Sequence, residues 1–289
     1  MSIHQDWRGA TYESVTDFLD AIKLPPAVVS EKSARQNAQG QCEAMTGNRN
    51  GARWYGANCE SGAAVVALMD QGWKQGLDRC TAALAKLDVS ALSPIDLRRR
   101  LVRTDFGDDY DANIARTGNF DRAWTRAKRR HGMSRQSVTV VANMTINANM
   151  ETNILFWRGA AIVALCELLE PMGYNVAAIV GFAADYGHSS AKHAECRVTV
   201  KRQDMPLDLS SASAILLPGF FRGPGIAWLY NHATHAVSAG IGSASELTVD
   251  PACEYLISHN VSDEKTAMRA VKDIVAAING DADDIREAI

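Results

Sequence analysis

The chain has 289 residues, of which 47% are hydrophobic, and a formal net charge of −3. That length supports one large domain or two smaller ones with a substantial core. The near-balanced charge gives the whole molecule no bias toward polyanions. No apolar run reaches the roughly 20 residues of a membrane-spanning helix. Asp6, Arg8, Glu13, Asp17 and Asp20 interrupt the apolar positions of residues 1–23, so no secretory leader is expected there. Cys42, Cys59, Cys80, Cys166, Cys196 and Cys253 form no CxxC pair and no Cys/His cluster. Cys166 lies in an apolar helical run and Cys196 in a strand pattern, which reads as buried free thiols and a reducing, cytoplasmic setting.

From the start of the chain, Trp7-Arg8-Gly9-Ala10-Thr11-Tyr12-Glu13-Ser14 precedes Val15, Phe18, Leu19 and Ile22 at helical spacing. Leu24-Pro25-Pro26 ends that helix. Residues 30–52 are poor in apolar side chains and read as a linker or long loop. A second octet, Trp54-Tyr55-Gly56-Ala57-Asn58-Cys59-Glu60-Ser61, shares Trp, Gly, Ala, Glu and Ser with the first in register and is followed by Val65, Val66, Leu68 and Met69. The pair reads as one Trp-Gly loop-plus-helix unit used twice, each Trp lying over its helix. Either it forms a paired binding surface or it repeats a packing solution.

Helical spacing continues through Leu77, Ala82, Ala83, Leu84 and Leu87. Two basic clusters, Arg98-Arg99-Arg100 with Arg103 and Lys128-Arg129-Arg130-His131, flank the acidic Asp105, Asp108, Asp109 and Asp111. The clusters suit phosphate or nucleic-acid contact, or else are ordinary solvated helix faces and helix ends. The acidic group lacks the DxDxDG spacing and terminal Glu of a calcium loop. Residues 1–132 are therefore expected to form a helical N-terminal module, and 133–289 an α/β domain.

The second domain begins with the clearest pattern in the chain. Val138 to Val141 is short, β-branched and apolar on both faces, as in a strand covered on both sides. Asn143-Met144-Thr145-Ile146-Asn147 follows, with oxygen-bearing side chains at alternate positions. Leu155, Ile162, Leu165, Leu168 and Leu169 recur at helical spacing, Gly173 stands where the helix stops, and Tyr174 opens another strand. Strand, loop, helix, strand is a βαβ unit with a right-handed crossover. Ligands gather at the carboxyl ends of strands in such sheets, which places a site at Asn143–Asn147.

Beyond the polar turn at 185–190, residues 195–202 alternate in period two and are expected to pair antiparallel with Tyr174–Phe182 at the sheet edge. An apolar helical segment runs to Leu217, then a bend at Gly219, Gly223, Pro224 and Gly225. Gly240-Ile241-Gly242 fails the dinucleotide spacing. Tyr255-Leu256-Ile257 reads as a short buried strand, Ser262-Asp263-Glu264 as the cap of a last helix, and residues 280–284 as a frayed acidic tail. No GxSxG elbow, Walker A loop or HExxH is present. His232 and His235, with His259 as a third partner, are the available histidine ligands, with surface or packing roles as the alternative.

The order strand 137–142, helix 153–172, strand 174–183, antiparallel edge strand 194–202, helix, strand, helix resembles the von Willebrand factor A domain. The likeness covers the second half of the chain. The whole chain, with its Trp-Gly units, Gly107-Asp108 and Phe156-Trp157-Arg158-Gly159-Ala160-Ala161, is similar to uncharacterised bacteriophage and bacterial proteins. The resemblance implies a mainly parallel α/β sheet with one antiparallel edge strand flanked by helices. It also implies a cation site where A domains carry Asp-x-Ser-x-Ser. The matching positions here are Asn143, Thr145 and Asn147, with Asp250 or Asp208 as a remote carboxylate. Without the leading carboxylate a hard cation such as Mg²⁺ loses its main attraction. The alternative is that Asn143 and Asn147 close the turn and cap the helix.

The expected function is non-enzymatic protein interaction at Asn143, Thr145, Asn147 and Asp250, with a ring ATPase of the MoxR class as the partner the resemblance implies. The alternatives are a nucleic-acid-binding protein using Arg98–Arg103 and Lys128–His131, and a virion structural component.

Overall fold

The structure is a computed structural model. It describes residues 9–23, 39–40, 42–47, 51–85, 100–104, 109–110, 112–116, 120–128, 137–185, 193–232, 243–251 and 253–287. In chain order the elements are β1 (Gly9–Tyr12), α1 (Val15–Lys23), α2 (Ala52–Tyr55), α3 (Gly62–Gln71), α4 (Lys74–Leu84), β2 (Arg100–Thr104), β3 (Asp109–Tyr110) and α5 (Ala112–Arg116). There follow β4 (Trp124–Lys128), β5 (Ser137–Asn143), α6 (Asn153–Leu169), β6 (Asn175–Asp185), β7 (His193–Lys201) and α7 (Leu209–Leu216). The last are α8 (Ile226–His232), β8 (Ser243–Ala244), β9 (Glu254–Ile257) and α9 (Glu264–Glu287).

The main sheet runs β1-β7-β6-β5-β9, with β8 added to β6. β5 is parallel to β6 and to β9, and β1 is parallel to β7, whereas β6 and β7 are antiparallel. This is the expected α/β class: a mostly parallel sheet flanked by helices. One detail is corrected. β7 pairs antiparallel as expected, but it does not form the edge, because β1 lies outside it with Gly9 opposite Glu195 and Tyr12 opposite Val198. Four residues inside an octet that also reads as a loop are too few to show a strand period.

Strand alternation divides the sheet into two unlike faces. Val138, Val140, Ala142, Val176, Ala178, Val180, Phe182, Cys196 and Val198 join one large core with the helices. α6 packs directly on β5 and β6, and α4, α7 and α9 are packed around it. The helix is therefore buried on nearly every side, with thirteen residues from Leu155 to Leu169 out of water. An all-round apolar helix is what such a position requires. At Gly159 an added Cβ would come within 2.1 Å of the Ile215 carbonyl oxygen, so only glycine lets α6 and α7 approach this closely. The helix stops at Leu169, short of the expected end, and Gly173 (φ 95°) turns the chain so that the Tyr174 N–H donates back to Leu169.

On the opposite face Val141 and Ala183 are covered by Leu247, with Ile179, Val249 and Leu256 around them. Among the described residues the cover here is an extended strap, residues 243–250. Its Leu247 occupies the space where Gly181 has no side chain, since a Cβ there would meet Leu247 at 2.7 Å. Val138–Val141 is thus covered on both sides, by helices on one and by a single strand of chain on the other.

The N-terminal segment contributes to the same core through Phe18, Ile22, Tyr55, Val65, Met69, Cys80 and Ala83. It is not purely helical: besides β1 it carries a three-stranded antiparallel sheet, β2-β4-β3. The two octets share a working part at their last residue. Ser14 accepts from Asp17 N (3.1 Å) and Ser61 from Ala64 N (3.1 Å), each side chain meeting an N–H in the first turn of its helix. They differ elsewhere, since Gly9 and Ala10 are strand whereas Gly56, Ala57 and Asn58 all have positive φ. Trp7 lies outside the described residues, and Trp54 lies over Arg222 rather than over its own helix.

Three further expectations change. Within the supposed linker, residues 42–46 are helical, and Tyr55 ties them down by donating to the carbonyls of Ala44 (2.8 Å) and Gly47 (3.1 Å). The bend at 219–225 is a π-helical turn, Phe221–Gly225, that runs into α8 around Pro224. Finally, α9 continues to Glu287, so 280–284 is helix; Gly280 costs only about 1 kcal/mol in such a position. Asp263 caps it, accepting from Thr266 N at 2.8 Å.

Candidate functional site

The loop after β5 is where the elements converge. Asn143 to Ile146 are buried, and residues 147–151 are exposed. The inner half is held by side chains turned into the protein. Asn143 Oδ1 accepts from Thr145 N (2.9 Å), while its Nδ2 donates to Ser245 O (2.8 Å) and to Glu246 Oε2 (2.8 Å). Thr145 Oγ1 accepts from Ala183 N at 2.7 Å. Asn147 Oδ1 accepts from Ala244 N at 3.4 Å.

Two buried arginines hold the main chain of this loop. Long helical side chains lean toward the helix N-terminus, so Arg158, early in α6, lies beneath the loop that precedes the helix. It is 1% exposed. Nη1 donates to the carbonyls of Asn143 (2.8 Å) and Thr145 (2.7 Å), Nε to Val261 (3.1 Å) and Nη2 to His259 (2.9 Å). The guanidinium therefore joins the loop after β5 to the loop after β9. Burial lowers its pKa to about 10, with the charge of Glu246 opposing, so it stays a cation at neutral pH.

Arg222, on the π-turn, holds the loop from the other side. Nη2 donates to Met150 O (2.6 Å) and Asn147 O (3.3 Å), and Nη1 to Trp54 O (3.2 Å). Its guanidinium lies 4.4 Å from the Trp54 ring centroid, and Trp54 Nε1 donates back to Arg222 O. Burial lowers its pKa to about 10 as well. Together the two guanidinium groups take the carbonyls of residues 143, 145, 147 and 150.

The strap is fixed differently, through carboxylates. Glu246 joins it to the loop: besides Asn143, it accepts from His259 N (3.0 Å) and pairs with His259 Nδ1. Burial pushes its carboxyl up, and the hydrogen bonds from Asn143 and His259 outweigh that, leaving it below the ordinary range. Arg197 reaches Glu195 (2.6 Å) and Glu254 (2.8 Å). Those two carboxylates accept from Thr248 N (2.9 Å) and Asp250 N (3.0 Å). His193 Nδ1 lies 2.7 Å from Asp185 Oδ1 and 3.4 Å from Ser245 Oγ. Its other ring nitrogen, Nε2, lies 3.4 Å from Glu195 Oε2, so the imidazole stands between two carboxylates.

The sequence-derived residues are thus partly brought together. Asn143, Thr145 and Asn147 share the loop. Asp250 lies before β9, whose pairing with β5 runs from Thr139–Glu254 to Ala142–Ile257, so it sits at the opposite end of the strands from Asn143. Asp208 caps α7, accepting from Ser211 N at 2.9 Å. Arg98, Arg99, Arg129, Arg130, His131 and His235 lie outside the described residues, as does the side chain of His232. The donor set does not suit a divalent cation. The Asn143 and Thr145 oxygens are turned inward onto backbone N–H groups, and a guanidinium already sits on the loop's carbonyls. Among the described residues no group of three or more His, Cys, Asp or Glu is placed to hold a metal.

A family model described as Domain of unknown function (DUF7192) matches residues 8–282. The chain belongs to the DUF7192 family. The DUF7192 match takes in the first octet from Arg8 on, the second octet, the small sheet and the whole of the loop end. None of the curated proteins and none of the solved structures matches the chain. No helix among the described residues is long and apolar enough to cross a membrane.

Proposed function

We propose that this protein is a non-enzymatic interaction protein of von Willebrand A-like build that docks a protein partner on the exposed half of the loop, residues 147–151. The observation that carries this reading is the two-sided arginine brace. It fixes the loop's main chain from within and leaves Asn147, Ala148, Asn149, Met150 and Glu151 standing in solvent. A surface held in one conformation before binding loses little entropy on binding, and Met150, 39% exposed at its tip, offers an adaptable apolar contact. The order β7-β6-β5-β9, with β7 antiparallel to β6 and the other two pairs parallel, supports the A-domain likeness. That likeness makes a MoxR-class ring ATPase the first partner to try. The free thiols of Cys59, Cys80, Cys166 and Cys196, all buried, support a reducing, cytoplasmic location.

The test is a photo-crosslinker placed at position 150, with position 205 as the control, since Met205 is also exposed. The reading expects a single protein adduct at 150, indifferent to nuclease and abolished by Asn147→Asp with Glu151→Lys. Adducts at 205 alone, or equal labelling at both, would sink it.

A second reading rests on the small sheet. Its register pairs Arg100 with Lys128, Val102 with Arg126, and both Thr104 and Tyr110 with Trp124. Strand alternation puts the positions of Arg100, Arg126 and Lys128 on the same face as Tyr110 and Trp124, whose rings are in tilted contact at 4.8 Å. Aromatic rings among basic positions suit single-stranded nucleic acid. Salt-dependent retention on an oligonucleotide, lost in Trp124→Ala, would favour it. Retention independent of salt would exclude it.

A further inference from the structure

We infer that Arg158 is the resident cation of the loop end: its guanidinium does the positioning that a bound divalent metal would do in an A-type site, so the 147–151 surface forms without metal. The inference rests on the docking reading for its purpose, but not for its geometry.

Three observations support it. First, the charge sits at a junction. Four carbonyls from two loops far apart in sequence, 143 and 145 on one side and 259 and 261 on the other, converge on one side chain. Oriented carbonyls converging on a buried point are the environment of a cation, and here the cation is covalently part of α6. Second, the side-chain oxygens at the A-type positions are already engaged: Asn143 Oδ1 with Thr145 N, and Thr145 Oγ1 with Ala183 N. Third, the carboxylate that meets Asn143, Glu246, is spent on Asn143 and His259. A dication entering here would have to break these bonds and then face a fixed positive charge. Arg158 touches no reacting atoms, so it is a positioning residue.

Hydrogen exchange on the full chain, read by mass spectrometry, tests this. In the wild type, peptides covering 143–150 and 259–262 should exchange at the same rate in chelator and in millimolar Mg²⁺. In Arg158→Met both peptides should exchange at least about ten-fold faster, while peptides within β6 and β7 stay protected. Arg158→Lys keeps the charge but lacks the planar fork, and should fall between. If Arg158→Met does not fold, the wild-type Mg²⁺ comparison and Arg158→Lys still decide. Slower exchange of the 143–150 peptide on adding Mg²⁺ to the wild type would overturn the proposal, as would unchanged exchange in both variants. Crosslinking at position 150 is read separately. Loss of the crosslink with the exchange pattern intact would refute the docking reading and leave Arg158's role standing.

Discussion

The loop after β5 and the strap at 243–250 meet at Glu246, yet arginine fixes them by opposite means. In the loop, Arg158 and Arg222 are buried and bonded to main-chain carbonyls. In the strap, Arg197 is part-exposed and held between Glu195 and Glu254, which in turn hold the strap's N–H groups. A buried guanidinium on carbonyls is shielded from salt and hard to dispense with, because its removal leaves several acceptors unsatisfied. A part-exposed ion-pair chain is within reach of salt screening, more so than the loop's guanidinium groups. The loop is therefore built to stay, and the strap to respond to solvent conditions.

The largest expected effect comes from breaking the loop side. Arg158→Met should destabilise the protein by about 3–5 kcal/mol in urea unfolding, from stranded carbonyls and lost packing. A loss under about 1 kcal/mol would mean water replaces the guanidinium freely. Arg222→Leu should cost about 2–3 kcal/mol and loosen Trp54, visible as a change in its fluorescence. On the strap side, Leu247→Ala should cost about 2–3 kcal/mol by opening the space over Gly181, without disturbing the helical face. Arg197→Gln should cost less, about 1–2 kcal/mol, and that loss should shrink as salt is added, whereas the Arg222→Leu loss should not.

The smallest effect is in pH. The folded pKa of Glu246 lies below its ordinary value of 4.5. Its contribution is then fully present above that value and is lost as the pH falls through the lower, folded one. Exchange in residues 245–250 should rise on acidification below that range, ahead of exchange in 143–146. Glu246→Gln should remove that pH dependence. Simultaneous loosening of both segments would show that loop and strap act as one unit.

The same contrast explains what the sequence shows. Strand β5, helix α6, the turn at Gly173, the antiparallel β7 and the Asp263 cap all follow from patterns within single elements. The site does not, because its parts come from four distant segments. Arg158 and Arg222 did leave a trace: each is a lone cation in a run that must be buried, Leu155–Leu169 and Phe220–Trp228. A buried charge needs partners, so either arginine could have been marked as an internal brace. Nothing in the local pattern tells that the partners are carbonyls of residues 143–150. β1 and the strap were illegible for another reason. Both are short extended pieces whose conformation is set by the sheet they lie on rather than by their own residues.

The placement of β1 has a kinetic side. Gly9–Tyr12 is synthesised well before its pairing partner, Glu195–Val198. Loop closure over so long a distance is slow. Until it happens, β7 presents an unpaired edge, the kind of surface on which nascent chains associate wrongly. Refolding of this protein should therefore end in a slow step that closes the sheet, and its yield should fall with concentration.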